Sequence, residues 1–241
     1  MEPTKKRART SKAHKTGKTH WSYSGRTGPA NWGNLSTKYA ACIEGGKQSP
    51  INLDNVSDWG LRKINFNYSP TKVNILNNGH TVQVNYDEGS TIKIGGRVYD
   101  LLQLHFHTKS EHQVNGKNYS GEMHLVHRNS HGQLAVVGVL IKKGAKNSAF
   151  GNIFASLPTS KSKVRHLRSK VNALKMLPKS GEYWTYNGSL TTPPCTEGVR
   201  WLVMKNAITM SSGQLSALKN AMHRNNRPVQ PLNRRLVRGS E

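Results

Sequence analysis

The sequence predicts a mainly β (α+β) fold: a single domain around a large, mostly antiparallel central β-sheet with peripheral helices. Three observations carry that expectation. Short apolar stretches recur along the chain, separated by Gly, Asn, Ser and Pro. Helical patterns are fewer, and two segments show them best. No internal repeat of the solenoid or propeller kind is present. In order, strands are expected at 72–76 ("KVNIL"), 81–86 ("TVQVNY"), 91–94 ("TIKI"), 97–106 ("RVYDLLQLHF"), 121–127 ("GEMHLVH"), 134–141 ("LAVVGVLI"), 183–186 ("YWTY") and 199–204 ("VRWLVM"). Helices are expected at 161–174 and 212–223. At 241 residues the chain is long enough for one domain with a substantial core, and no apolar run approaches the length of a membrane span.

Two of these strands are unusual in carrying several histidines. In "LLQLHFHTKSEH" (101–112), His105 and His107 are two apart and project from the same face of a strand, while Phe106 turns toward a core. Such a pair is often an ordinary polar face, and it is also half of a metal site. In "GEMHLVHRNSHG" (121–132), His124 shares a face with Glu122 and Val126, and His127 faces the other way. The intervening "KSEHQVNGKNYS" is rich in Gly, Asn and Ser and can return the chain antiparallel, which would bring His124 across from the pair. Three nitrogen ligands with one open position describe a catalytic zinc site rather than a closed structural one. Gln103 and Glu122 each precede a candidate ligand by two residues on the same face. They are candidates to hold the second ring nitrogen of those histidines, against the plainer reading of ordinary strand polar groups.

The charge restricts the partners. There are 36 Lys and Arg against 12 Asp and Glu, a formal net charge of +24. Residues 1–19 hold seven basic residues and one acid; the remainder carries 29 against 11, still +18. The first nineteen residues lack apolar periodicity and are expected to form a disordered basic arm, with the folded domain at 20–241. The arm does not read as a secretory signal, because no hydrophobic region follows it. "KKRAR" fits either a solvated arm or a localisation or polyanion-binding patch.

A further stretch, "YWTYNGSLTTPPCTEGVRWLVMK" (183–205), joins "LHFH", "SEH" and "EMHLVH" in resembling the α-class carbonic anhydrases. The likeness extends from "HWSYSGRTGPANWG" (20–33) through "KQSPINL" (47–53) and "NNGHTVQV" (77–84) to "NNRPVQPLNRR" (225–235), in wording closest to bacterial members. The resemblance implies a zinc lyase that hydrates carbon dioxide reversibly to bicarbonate and a proton, through attack by zinc-activated hydroxide. It implies His105, His107 and His124 as zinc ligands. Thr191 would accept a hydrogen bond from the zinc hydroxide and donate one to Glu111, so orienting the hydroxide, with Thr192 on the substrate side. Val126, Val136, Leu190, Val199 and Trp201 match the hydrophobic wall where carbon dioxide waits. His80 matches the proton shuttle, and Tyr23, Asn78 and Gln83 match polar positions that order its waters. Gln83 stands where well-studied members carry asparagine, and Thr108 where many animal members carry tryptophan. Those departures bear on water geometry and packing. His112 and His127 are implied to be structural hydrogen-bonding residues, whereas His20 and His131 read as surface groups.

The same resemblance pairs Cys42 with Cys195, the only cysteines, in a disulfide, and implies cis peptide bonds at Pro50 and Pro194. A disulfide argues for the periplasm or the cell exterior; two free thiols are the alternative. A second class of function is a basic polyanion-binding or assembly protein on an anhydrase scaffold, through nonspecific, salt-sensitive attraction to polyanions or acidic protein assemblies. No base-reading module or aromatic-interleaved basic motif is apparent. A surface supercharged by design would have the same composition, with Glu111 and Glu122 spared amid the scarcity of acids. Bacterial relatives often dimerise, while the repulsion of two +24 chains opposes it, so the sequence leaves the oligomeric state open.

Overall fold

The computed structural model of the chain describes residues 20–54 and 56–240, so the arm expected at 1–19 lies outside the described residues. Among these residues, thirteen strands form one mixed sheet. Its main path runs Arg165–Val171, Thr71–Asn77, Val82–Asn85, Arg97–His107, Gly121–Arg128, Leu134–Lys143, Glu197–Met204, Tyr183–Ser189, Arg238–Gly239 and Ser57–Asp58. Thr91–Ile94 and Ile208–Met210 pair onto this path at Arg97–His107 and Leu134–Lys143. Antiparallel pairs dominate, and Leu134–Lys143 and Glu197–Met204 lie parallel at the centre. The eight expected strands are present, with ends displaced by at most three residues.

The period of two sorts the side chains. One face sends Leu104, Phe106, Met123 and Leu125, all fully buried, into a large core shared with Phe150 and with Leu218 and Met222 of the helix Ser212–Met222. Each such side chain contributes about 1.5–3 kcal/mol by leaving water. The helix begins where Ser211 and Gln214 form a reciprocal capping box. The opposite face carries the histidine pair and a second cluster that includes Ile51, Val136, Val199 and Trp201.

The expectation of a helix at 161–174 is incorrect. Residues Arg165–Val171 form a strand on the edge of the sheet, followed by a 3-10 turn at Ala173–Met176. Val164, Leu167, Val171 and Leu174 are spaced as a helical stripe, but Leu167, Ser169 and Val171 also alternate inward against exposed basic residues. Pairing with Thr71–Asn77 satisfies that edge's backbone groups and decides between the two. A register shift between Leu167 and Lys170 absorbs the mismatch.

Cys42 and Cys195 form a disulfide across 153 residues of sequence. The Ser49–Pro50 and Pro193–Pro194 peptide bonds are cis. Beside them Arg227, 1% exposed, donates from Nη1 to Gln48 Oε1 and the Ser49 carbonyl (both 2.8 Å) and from Nη2 to the Cys42 carbonyl (2.9 Å). One buried guanidinium thus joins the start of the domain to its end. No helix among the described residues is long and apolar enough to cross a membrane.

Candidate metal centre

Register brings the histidines together. In the antiparallel pair Arg97–His107 and Gly121–Arg128, His124 faces His105 and Glu122 faces His107. The three rings lie close: centroids are 5.1 Å apart for His105 and His107, 5.2 Å for His105 and His124, and 4.5 Å for His107 and His124. One nitrogen from each falls within 4.8 Å of the others.

The partners of the rings decide which nitrogens are free. His105 Nδ1 lies 2.9 Å from Gln103 Oε1, His107 Nδ1 is 2.7 Å from the Asn225 carbonyl, and His124 Nε2 is 2.9 Å from Glu122 Oε1. Each partner is an acceptor, so each of those nitrogens carries the proton. What remains is a lone pair on His105 Nε2, His107 Nε2 and His124 Nδ1. Burial lowers the pKa of all three rings, His107 to about 4, so they are neutral at pH 7, as metal ligation requires. His107 Nε2 is buried without a hydrogen-bond partner, 3.5 Å from Glu111 Oε2, which is likewise unpartnered. A lone pair facing a carboxylate in the interior is satisfied when a cation lies between them. The residues therefore fit a metal ion held by three imidazoles. His112, Glu122 and His124 also lie close enough to qualify as a ligand set, but their atoms are already bonded to one another.

Glu122 is the hub of that second set. Its Oε2 accepts from the backbone N–H of Glu111 and of His112 (both 2.9 Å), and its Oε1 from His112 Nδ1 (2.7 Å) and His124 Nε2. Burial alone would raise its pKa; the electrostatic pull and the hydrogen bonds of the His112 and His124 rings outweigh burial and hold it well below the usual carboxylate range. His112 Nε2 continues to the Tyr186 hydroxyl (2.7 Å), which is 2.9 Å from Ser49 Oγ. His127, on the other face, bonds Tyr68 through Nε2 (2.7 Å). His20 and His131 are exposed.

Glu111 faces the histidines from the loop after His107. Its Oε1 accepts from the Arg227 backbone N–H at 2.8 Å. Burial pushes its carboxyl up to about 7, against the pull of His124, of that N–H and of a hydrogen bond from Thr191. Thr191 is 6% exposed and begins a tight turn. Leu190 N–H to the Thr196 carbonyl (2.9 Å) and Cys195 N–H to the Thr192 carbonyl (2.8 Å) close that turn, and the disulfide anchors it. Thr192, beside it, is half-buried.

Val136, Val199 and Trp201 form part of one apolar cluster, with Val126 and Leu190 packed on it half-buried. Trp201 lies edge-on to His124 at 4.8 Å, so this apolar surface adjoins the histidines. Gln83, opposite His105 on the neighbouring strand, donates to Asn85 Oδ1 at 2.7 Å. Asn78 Oδ1 accepts from the backbone N–H of His80 and Thr81 and so holds the turn that carries His80. Half-buried, His80 stacks flat on Trp21 with centroids 3.7 Å apart, and Tyr23 lies 6.4 Å away. Burial lowers the pKa of His80, with His20 and Lys161 adding to the effect. Burial also raises that of Tyr23, reinforced by Glu111.

Sequence reasoning missed Trp21, Ser49, Tyr186, Asn225 and Arg227. Asn225 fixes His107 through its carbonyl, and its Oδ1 accepts from the Thr108 N–H at 2.9 Å. The run "NNRPVQPLNRR" was visible, but nothing local in it points to a ring 118 residues away.

The comparisons with known proteins agree with this geometry. A model of the eukaryotic-type carbonic anhydrase family matches residues 27–241. The chain is 42% identical over 222 residues to a carbonic anhydrase of Klebsiella pneumoniae, covering 91% of this chain and 90% of that one. It is 43% identical over 221 residues to one of Neisseria gonorrhoeae, covering 91% and 87%. The solved α-carbonic anhydrase of Thermovibrio ammonificans superposes with a TM-score of 0.89 at 41% identity, over 92% of this chain and all of that one. The chain belongs to the eukaryotic-type carbonic anhydrase family, the carbonate dehydratases among the lyases.

Proposed function

We propose that His105, His107 and His124 hold one zinc ion and that the domain at 20–241 uses it to hydrate carbon dioxide reversibly to bicarbonate and a proton. The observation that carries the reading is the convergence of three imidazole lone pairs, one of them on the buried, unpartnered His107 Nε2. Bound there, zinc lowers the pKa of a water to about 7 and so supplies hydroxide at neutral pH, a property for which carbonic anhydrase is the type example.

The residues around the site do the remaining work. Glu111 accepts a hydrogen bond from the Thr191 hydroxyl, so the threonine oxygen turns a lone pair toward the nucleophile and orients it. The Arg227 N–H keeps the carboxylate in place. Val126, Val136, Leu190, Val199 and Trp201 offer an apolar berth for carbon dioxide beside the histidines, and Thr192 gives it a polar edge. His80 takes up the released proton through waters ordered by Tyr23, Asn78 and Gln83 and passes it to buffer. The disulfide supports an extracytoplasmic protein, periplasmic or secreted. The +24 charge supports a second property, salt-sensitive attraction to polyanions, which coexists with catalysis. The test is stopped-flow carbon dioxide hydration on zinc-loaded protein. Rapid turnover at one zinc per chain, lost with His107→Ala, is expected; stoichiometric zinc without turnover would leave only a basic scaffold.

A further inference from the structure

Away from the histidines, a cavity of about 610 Å³ opens where Tyr183–Ser189 and Glu197–Met204 meet the C-terminal segment. Six cations line it: Lys47, Arg97, Arg200, Arg234, Arg235 and Arg238. Among the described residues, no carboxylate does. Glu197 is near enough to act on Arg235, but its Oε1 is taken by the Lys47 N–H (2.6 Å) and Gln48 Nε2 (3.1 Å). Six cations thus face the cavity with no carboxylate in its lining, and Glu197 offsets part of the charge of Arg235 from outside it.

Several of these arginines are held in place. Arg235 donates from Nε to the Leu232 carbonyl (2.9 Å), from Nη1 to Asn187 (3.2 Å) and from Nη2 to Pro231 (2.7 Å), and lies 5.6 Å above the Tyr186 ring. Arg238 stacks 4.5 Å over Trp59. Arg200 and Arg234 have no hydrogen bond and no carboxylate partner among the described residues. Their planar forks are free to take oxygen atoms in pairs, which a lysine cannot do. Like charges gathered around one cavity repel, and an occupant carrying several negative charges removes that cost. A monovalent anion offsets only one charge of six, and the volume is that of a small-molecule site.

We propose that this cavity binds a free multivalent oxyanion of the oligophosphate class, with Arg200 and Arg234 as its principal contacts. The proposal is independent of the hydration reading: of the cavity's lining, Tyr186 reaches toward the metal centre through its hydroxyl at His112, while Arg200 and Arg234 make no contact with the three histidines.

The test is isothermal titration calorimetry of the zinc-loaded full chain with trimetaphosphate, a weak chelator, and with orthophosphate for comparison; zinc content is checked afterwards. One-to-one binding is expected, at least tenfold tighter for trimetaphosphate. The double variant Arg200→Gln/Arg234→Gln should bind about a hundredfold more weakly, roughly tenfold for each guanidinium removed. Lys146→Gln/Lys179→Gln removes the same charge from exposed positions elsewhere and should stay within twofold; Arg234→Gln alone serves as a milder variant. Equal weakening in both double variants, several anions per chain, or no binding at millimolar trimetaphosphate would overturn the site. So would an eight-residue oligothymidylate that displaces trimetaphosphate through the same two arginines with tenfold higher affinity, because the occupant would then be nucleic acid.

Discussion

Replacing Glu122 with Gln changes one atom in the most heavily bonded side chain of the centre. Glu122 is fully buried and takes four hydrogen bonds, two on each oxygen. A glutamine has one acceptor oxygen. It can keep the two backbone N–H groups of Glu111 and His112, and its NH₂ then faces two imidazole N–H groups. Hydrogen bonds to charged groups contribute about 1.5–3 kcal/mol each, so losing two should cost the metal-free protein about 3–6 kcal/mol. A second consequence is specific. To escape the donor–donor clash, His124 moves its proton from Nε2 to Nδ1, the atom whose lone pair would ligate the metal. Disturbing such an outer partner typically weakens metal binding tenfold to a hundredfold, about 1.4–2.7 kcal/mol. Zinc affinity by chelator competition and the urea midpoint of the metal-free chain measure the two effects separately. A lower midpoint with zinc affinity unchanged within twofold would refute the tautomer argument and leave Glu122 a purely structural residue.

Three further outcomes are expected. Cys42→Ser opens a loop spanning 153 residues and should cost about 4–5 kcal/mol in the chain-entropy account; the urea midpoint of wild type under reductant should fall to the same value. Burial lowers the pKa of His127 from 6.5 to about 3. Its stabilising contribution is therefore complete above pH 6.5 and lost as pH falls through about 3, a span equivalent to about 4–5 kcal/mol. His127→Gln should flatten the urea midpoint's pH dependence across that window, and an unchanged slope would contradict it. His80→Ala should slow hydration about a hundredfold in dilute buffer, with recovery on adding imidazole; full activity without imidazole would remove His80 from the proton path.

The sequence exposed what local periodicity encodes. His105 and His107 are recognisable because a strand puts i and i+2 on one face, and Glu122 and Gln103 follow from the same rule. The strands surrounding them are equally plain. Groups brought in over long distances were hidden: Asn225 reaches His107 across 118 residues and Arg227 reaches Glu111 across 116. The segment 161–174 was misread because its spacing of Val164, Leu167, Val171 and Leu174 suits a helix, while the outcome depended on Thr71–Asn77, an edge with unpaired backbone groups remote in sequence. The six cations that line the cavity at the C-terminal segment are likewise scattered from Lys47 to Arg238, and only the fold collects them.

On the proposed reading, three imidazoles hold the metal and leave one position open to solvent water. The most direct measurement replaces zinc with cobalt(II) and follows the visible spectrum from pH 5 to 9. A spectral change with a midpoint near 7 is expected, as an acidic metal-bound water requires. A spectrum independent of pH would mean that a fourth protein ligand closes the site. Glu111 Oε2 lies 3.5 Å from His107 Nε2, and its ligation would contradict a site open to water.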